Sequence, residues 1–241
     1  TTHPIQYQIP LFKKLQQKKI ETHVFFASKH GISVKYRDPE FLIKLRWDIN
    51  SKLLKGYKYY FPKNEKYKID DFRLSFPNIE KILKEKKFNA ILILGWNNLH
   101  YLRAINFGLR NKIKLILRAE NNLRENNNLF KKILKYFLFR IFFKCFNYIL
   151  SIGLLNKNFY LYYGVDEKKI LNAPYFVDNN FFKKKGKHNY LSNKLKLKNK
   201  KFILFVGKLI DRKKPQHFIN LAKEFKNIKQ FHFLLIGDGH L

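Results

Sequence analysis

Six short runs limit what this chain can fold into: THVFFAS (22–28), KYYF (58–61), AILILG (90–95), KLILRAE (114–120), YILSIG (148–153) and ILNAPYF (170–176). Several are apolar at nearly every position and do not alternate. AILILG is the clearest, and such a run ending in Gly is the pattern of a strand buried on both faces. Helical patterns fill the gaps, near 4–18, 76–87, 98–110, 128–146 and 155–164. Strand followed by helix, repeated, predicts an α/β fold with a parallel sheet and helices on both faces.

The pattern breaks at KKKGKHNYLSNKLKLKNKK (183–201), which is polar and basic, and then restarts. KFILFVG (201–207) and FHFLLIG (231–237) read as strands around a helix that opens at Pro215. In that helix Phe218, Leu221, Ala222 and Phe225 share one face. The expected organisation is a Rossmann-like domain over 1–183, a basic linker over 184–200, and the first βαβ unit of a second Rossmann-like domain over 201–241. About 40 residues are too few to bury a stable core alone, so the second domain is expected to be incomplete. HPIQYQIP (3–10) reads as the loop and helix start after a strand, so the first strand is expected to be truncated.

Composition matters here chiefly through charge. The 241 residues carry a formal net charge of +33. A charge of that size raises nucleic acid or an anionic membrane as partners. Lys, however, outnumbers Arg 41 to 9, whereas base-edge contacts favour Arg. The cations are also spread along the whole chain, as coding bias in an AT-rich genome would leave them, so no specific nucleic-acid partner is expected. A single cysteine, Cys145, excludes an internal disulfide and fits a reducing compartment. No apolar run reaches the roughly 18–20 residues of a membrane helix. The expected localisation is cytoplasmic, possible peripheral contact with the inner face of an anionic membrane included.

The stretch with the strongest chemical content is FVGKLIDRKKP (205–215). A strand ends at Gly207, a short loop follows, and a helix begins. Ligands bind at the carboxyl ends of strands in such sheets. Gly207 lets backbone approach a ligand, the helix N-terminus offers free N–H groups, and Lys208 and Lys213 can neutralise a phosphate. Loop lysines are common in so basic a chain, and spacing alone leaves both readings open.

FVGKLIDRKKP with FLLIGDGHL (233–241) resembles the start of the C-terminal domain of GT4-type retaining glycosyltransferases, which have the GT-B fold. Lys214 stands where that family commonly has Gly. TTHPIQYQIPLFKKL (1–15) resembles a branch with a His-Pro-x-Gln-Tyr loop, and WDINSKLLKGYKYYF (47–61) its next segment. GWNNLHYLRAINFGLRNKIKLILRAENN (95–122) resembles its G-W loop, helix and strand, with Ala119 in place of the usual Gly. IGLLNKNFYLYYGVDEKKILNAPYFVDNNFF (152–182) resembles the end of the N-terminal domain, so the resemblance spans nearly the whole chain.

The resemblance implies sugar transfer from a UDP- or GDP-sugar to a cell-envelope glycan or lipid-linked saccharide, with retention. It implies donor-diphosphate contacts at Gly207, Lys208 and Lys213, and catalytic-side contacts at His3, Arg118 and Glu120. Trp96 and Asn97 fall in the acceptor-side cleft, Trp96 as packing. His3 could instead cap the following helix, and Arg118 and Glu120 could be an ion pair bracing their loop. No cofactor and no metal are expected: D-x-D, H-E-x-x-H and C-x-x-C are absent and the His residues lack ligand spacing. The alternatives are a basic nucleic-acid-binding protein and a nucleotide-sugar epimerase of the same fold. LFKKILKYFLFRIFFKCFNYIL (129–150) reads as a helix packed on the sheet with its N-terminal turns exposed.

Overall fold

Parallel pairing organises everything that follows. In a computed structural model, the structure describes residues 1–32, 54–64, 66–123, 129–183 and 201–241. The expected linker over 184–200 lies outside the described residues, as does 47–53 of the Trp47–Phe61 segment. The described residues form two compact units, one up to Val177 and one from Asp178 onward.

In the first unit, β1 (His23–Phe25) pairs with β2 (Lys58–Tyr60). A second sheet holds β3 (Ala90–Ile93), β4 (Lys114–Leu117), β5 (Tyr148–Ser151) and β6 (Ile170–Asn172), side by side in chain order. Every pairing is parallel. Parallel neighbours require a crossover. In the second sheet α3 (Leu99–Arg110), α4 (Leu129–Phe142) and α5 (Leu154–Tyr162) supply it, while α1 (Ile9–Gln17) precedes β1 and α2 (Ile79–Lys86) lies between β2 and β3. This is the expected α/β fold with parallel sheets.

Local chemistry sets the helix limits. Asn98 caps α3, its side chain accepting from the Tyr101 N–H at 3.4 Å. α1 starts at Ile9, later than the pattern over 4–18 suggests. Pro10 fits only a first helical turn, so the residues before Gln8 form turns instead. Gly108 lets α3 settle on the sheet, since a Cβ there would lie 2.5 Å from Leu115 Cδ2.

The core lies between β3–β6 and one helical layer. Ile93, Leu115, Leu117, Ile149 and Ile170 meet Tyr101, Ala104 and Ile105 of α3 and Phe159 and Tyr160 of α5. Phe143, just past α4, touches Phe139, Phe159, Tyr160 and Tyr163 with ring centroids 5.2–6.0 Å apart. α4 differs from the expectation. Its inner side, Tyr136, Phe139 and Phe142, packs on the core. Its outer side is exposed along the whole helix, through Phe130, Ile133, Leu134, Phe137, Leu138 and Ile141. The helix is apolar on two sides and the core can cover one.

In the second unit, β7 (Lys201–Val206) and β8 (Phe231–Ile236) pair in parallel across α7 (Pro215–Glu224), with the short α6 (Asn179–Lys183) preceding them. Phe218 of α7 and Phe225, just past its end, lie over Phe205, Phe231 and Phe233 at 5.6–5.9 Å. Leu221, expected on that packed face, is exposed.

Phe143→Ala should cost about 3–5 kcal/mol of unfolding free energy, because its ring leaves a cavity in a packed cluster. Phe137→Ala on the outer face should stay within about 0.5 kcal/mol of wild type. Urea titrations giving equal midpoints for the two variants would contradict this placement of the core.

Candidate functional site

The parallel sheet places the residues after β3, β4 and β6, and the loop that opens the chain, at strand carboxyl ends. Arg118 and Glu120 follow β4 directly. Arg118 is only 6% exposed. Its Nη2 donates to the carbonyls of Ala173 and Pro174 after β6, both at a long 3.4 Å. The guanidinium stands 5.0 Å from the Tyr175 ring centroid and 5.8 Å from that of Phe176. Its Nε has no partner. Burial lowers its pKa, with Tyr7 and Glu120 acting in the opposite direction. A buried cation with an unused donor and weak hydrogen bonds is set to accept an oxygen-rich ligand.

No ion pair joins Arg118 to Glu120 among the described residues. Glu120 is exposed and faces Tyr7, whose hydroxyl pKa is raised by burial and then by the Glu120 carboxylate. Tyr7 also meets Tyr175 edge-on at 5.3 Å. The opening loop and the loops after β4 and β6 therefore converge on Tyr7, Arg118, Glu120 and Tyr175.

The Arg118–Glu120 loop is held from below. Asn156 donates through Nδ2 to the carbonyls of Ala119 (3.0 Å) and Asn121 (2.7 Å) and accepts from the Ile152 N–H at 3.1 Å. Tyr160 donates to the Ala119 carbonyl at 3.3 Å. Ala119 is not among the positive-φ residues, so the loop needs no glycine there. The sequence reading missed Tyr7, Tyr175 and Asn156. Tyr7 lay within the quoted His-Pro-x-Gln-Tyr loop, whereas nothing in the local pattern marked Asn156 as a clamp.

His3 does not cap α1, which has Gln8 at its cap position and no side-chain cap bond. Its Nδ1 lies 2.9 Å from Thr2 Oγ1, and its ring meets His30 edge-on at 5.2 Å. Burial, then the charges of His30 and the chain amine, push its pKa down to about 4. Burial likewise lowers His100 well below the usual range. Trp96 packs against Phe139, Phe142 and Phe143 at 5.7–5.8 Å. Asn97 beside it is exposed.

In the second unit, β7 runs into Gly207, and the Gly207 N–H donates to the Ile236 carbonyl at 3.0 Å. The Leu209 N–H donates to the Asp238 carbonyl at 2.9 Å, and Leu209 bridges Gly239. Glycine is sterically required on the β8 side: a Cβ on Gly237 would overlap the Gly207 carbonyl oxygen. A Cβ on Gly207 would make ordinary contact with Phe205 at 3.6 Å, so Gly207 instead leaves the end of β7 open. Lys208 is half-buried in the loop, and Lys213 is exposed in the 3-10 turn Asp211–Lys213. Lys214 adopts φ 51° at the cap of α7. That left-handed geometry is what Gly accepts readily, which accounts for the glycine common at this position in the resembling family. Among the described residues no group of three His, Cys, Asp or Glu could hold a metal ion.

No family model matches the chain, and no curated protein matches it. Solved structures do. HepE from Anabaena, with UDP and glucose, matches at TM-score 0.58 and 11% identity over 100% of this chain and 60% of that one. The fold is GT-B-like. A glycosyltransferase from Rickettsia africae matches at TM-score 0.56 and 11% identity, over 95% of this chain and 64% of the other. A UDP-N-acetylglucosamine 2-epimerase assignment from Listeria monocytogenes matches at TM-score 0.56 and 13% identity, over 98% and 59%. This chain thus spans about 60% of the length of the structures it resembles.

The buried imidazoles give the fold an acid limit. An unfolded His binds a proton near pH 6.5, but folded His3 binds one only near 4. Between those values the unfolded state holds more protons, so stability falls as pH is lowered through that window. Urea midpoints should drop from pH 6.5 to 4, and the drop should be shallower in His100→Asn. Identical slopes for the two proteins would remove His100 from this balance.

Proposed function

We propose that the chain belongs to a retaining glycosyltransferase that moves a sugar from a UDP- or GDP-sugar to a cell-envelope glycan or lipid-linked saccharide. The observation that carries this is the GT-B-like fold over the whole chain. Among proteins with that likeness, HepE is described with UDP and with UDP-glucose.

In this reading Lys208, Lys213 and the amino end of α7 receive the donor diphosphate, with Gly207 leaving room beside them. Departure of a nucleoside diphosphate places new negative charge there. Cations and helix N–H groups stabilise that charge more in the transition state than before it. His3, Arg118 and Glu120 serve the transferred sugar or leaving phosphate. The unused donor of Arg118 supports this role. Trp96 props its loop by packing, and Asn97 presents a polar group to the acceptor.

The second reading, a nucleotide-sugar epimerase, is favoured by the Listeria likeness at the same TM-score as the Rickettsia transferase. Product analysis of the full-length protein with labelled donor and a crude envelope acceptor separates them. Labelled glycan supports transfer, isomerised donor supports epimerisation, and unchanged donor sinks both. Lys208→Ala and Lys213→Ala should each weaken UDP-sugar binding about tenfold or more, the loss of one charge-assisted contact. Wild-type affinity in both would remove them from the donor site.

Peripheral membrane contact fits the same reading, and α4 supports it. Its exposed outer face carries large apolar side chains, with Lys131 and Arg140 along the helix. No Asp or Glu occurs anywhere from 126 to 165. An apolar helical face with cations beside it suits an anionic lipid surface. No helix among the described residues is long and apolar enough to cross a membrane. The protein should co-sediment with phosphatidylglycerol vesicles and not with phosphatidylcholine vesicles. Phe137→Ser with Ile141→Ser should reduce that binding several-fold; unaltered binding would clear α4 of the role.

A further inference from the structure

The carboxyl edge of the β3–β6 sheet is short of cations. The opening loop (1–8) and the segments after β3 (94–98), β4 (118–123), β5 (152–153) and β6 (173–177) hold a single Lys or Arg, Arg118, in a chain that has 50. They also hold a single acid, Glu120. Lys29 and Lys63 follow the strands of the other sheet and are exposed. The second unit is built differently. Its loop from Gly207 to Pro215 carries Lys208, Arg212, Lys213 and Lys214 against one acid, Asp211. Point charges in that number suit a multiply charged phosphate group. The β3–β6 edge, formally neutral, does not.

Arg118 is nonetheless set for an anion. It is 6% exposed, its Nε has no partner, and its Nη2 makes only the two long 3.4 Å bonds to the Ala173 and Pro174 carbonyls. Nε and Nη2 share one edge of the guanidinium, and their spacing matches the two oxygens of one carboxylate. The surroundings select among anions. Burial, then Glu120, raise the Tyr7 hydroxyl pKa, and Arg118 opposes them, so both charges act at one point. A phosphate dianion there would meet one cation and one carboxylate at close range. A carboxylate carries less charge and is repelled less. The exposed polar groups nearby, Gln6, Asn97 and Asn122, are neutral amides that suit sugar hydroxyls.

We propose that the sugar received at this edge is acidic, of the uronic-acid class: Arg118 binds both oxygens of its carboxylate through Nε and Nη2, and the Tyr175 ring, turned outward, stacks on its pyranose face. The inference rests on the sugar-transfer reading and narrows the partner of Arg118 in it from sugar or phosphate to the sugar. Tyr175 is the side chain that must move. Its ring lies over the guanidinium at 5.0 Å and is 43% exposed, and its other ring contact is edge-on with Tyr7 at 5.3 Å. Turning it outward exchanges a cation–π contact for a bidentate, charge-assisted pair, which is the stronger of the two. The loop beneath does not follow, because Asn156 and Tyr160 hold the Ala119 carbonyl. The freed ring face is apolar, as the C–H face of a pyranose requires.

Calorimetric titration of the protein with methyl glucuronoside and methyl galacturonoside tests this, with methyl glucoside, methyl galactoside and glucose 6-phosphate as comparisons. At least one uronoside should bind about tenfold or more tightly than its neutral counterpart and than the phosphate. Arg118→Gln should abolish that preference. Arg118→Lys keeps the charge without the planar fork and should lose most of it. Tyr175→Ala should weaken uronoside and neutral glycoside alike, several-fold. Uronosides that bind no better than neutral glycosides, or less well than the phosphate, overturn the proposal on the wild-type protein alone, whether or not the variants fold. In the full-length protein, UDP-glucuronate that displaces the uronoside better than UDP-glucose makes the acidic sugar the one transferred. A uronoside that stays bound under both makes it the acceptor, and either result supports the site. Transfer of a neutral sugar without uronoside binding sinks this inference and leaves the transfer reading standing; uronoside binding with unchanged donor does the reverse.

Discussion

The candidate site exists because β3, β4, β5 and β6 run parallel. A parallel strand cannot turn straight back, so each strand must be followed by a crossover helix, and all strand carboxyl ends gather on one edge. Arg118 and Glu120 after β4 and Tyr175 after β6 are far apart in the sequence and meet for that reason alone. The opening loop reaches the same place because Thr1 lies parallel to β1 and Tyr7 follows it within one turn.

The edge is then made rigid by the aromatic layer beneath it. Phe143, Phe159, Tyr160 and Tyr163 pack edge to face, the geometry that ring quadrupoles prefer. One of these rings and a neighbour on the same helix also reach the site. Tyr160 extends its hydroxyl to the Ala119 carbonyl, and Asn156, one turn earlier on α5, holds the same carbonyl. Packing and positioning therefore use one helix: the side that fills the core with Phe159 also fixes the loop that carries Arg118. Trp96 belongs to the same layer, through the rings that close α4 onto the core.

The strands and crossovers were legible in the sequence because runs such as AILILG and YILSIG are nearly free of charged positions and alternate with helical patterns. Boundaries were less so. Apolar residues extend past β6 into Ala173, whose N–H still bonds to Ser151 of β5 while its carbonyl accepts from Arg118, and into Tyr175, whose ring faces Arg118. The ligand-edge residues were placed by their position after strands, and their partners were not, because a contact across 55 residues leaves no trace in local spacing. The outward face of α4 was missed for a different reason. Periodicity shows that a helix has an apolar side, but here two sides are apolar, and only the finite width of the core decides which is covered. The left-handed Lys214 and the obligatory Gly237 follow from backbone close approach, which side-chain pattern does not encode.

Charge gives the last step. The chain holds 50 Lys and Arg residues, yet Arg118 is the one cation counted among the buried polar side chains of the described residues. The other described cations are half-buried or exposed, where water and salt screen them, so their charge shapes long-range attraction to anions and does little to the fold. Arg118 is different in kind. Its burial costs free energy that two long hydrogen bonds and two aromatic rings offset only in part, and one donor stays unused. A fold that keeps a cation in that state at the carboxyl ends of its strands, clamped by Asn156 and Tyr160 through the adjoining carbonyl, has localised its electrostatics at one point. The scattered lysines bring anions near, and the single desolvated guanidinium is where a bound oxygen would interact most strongly.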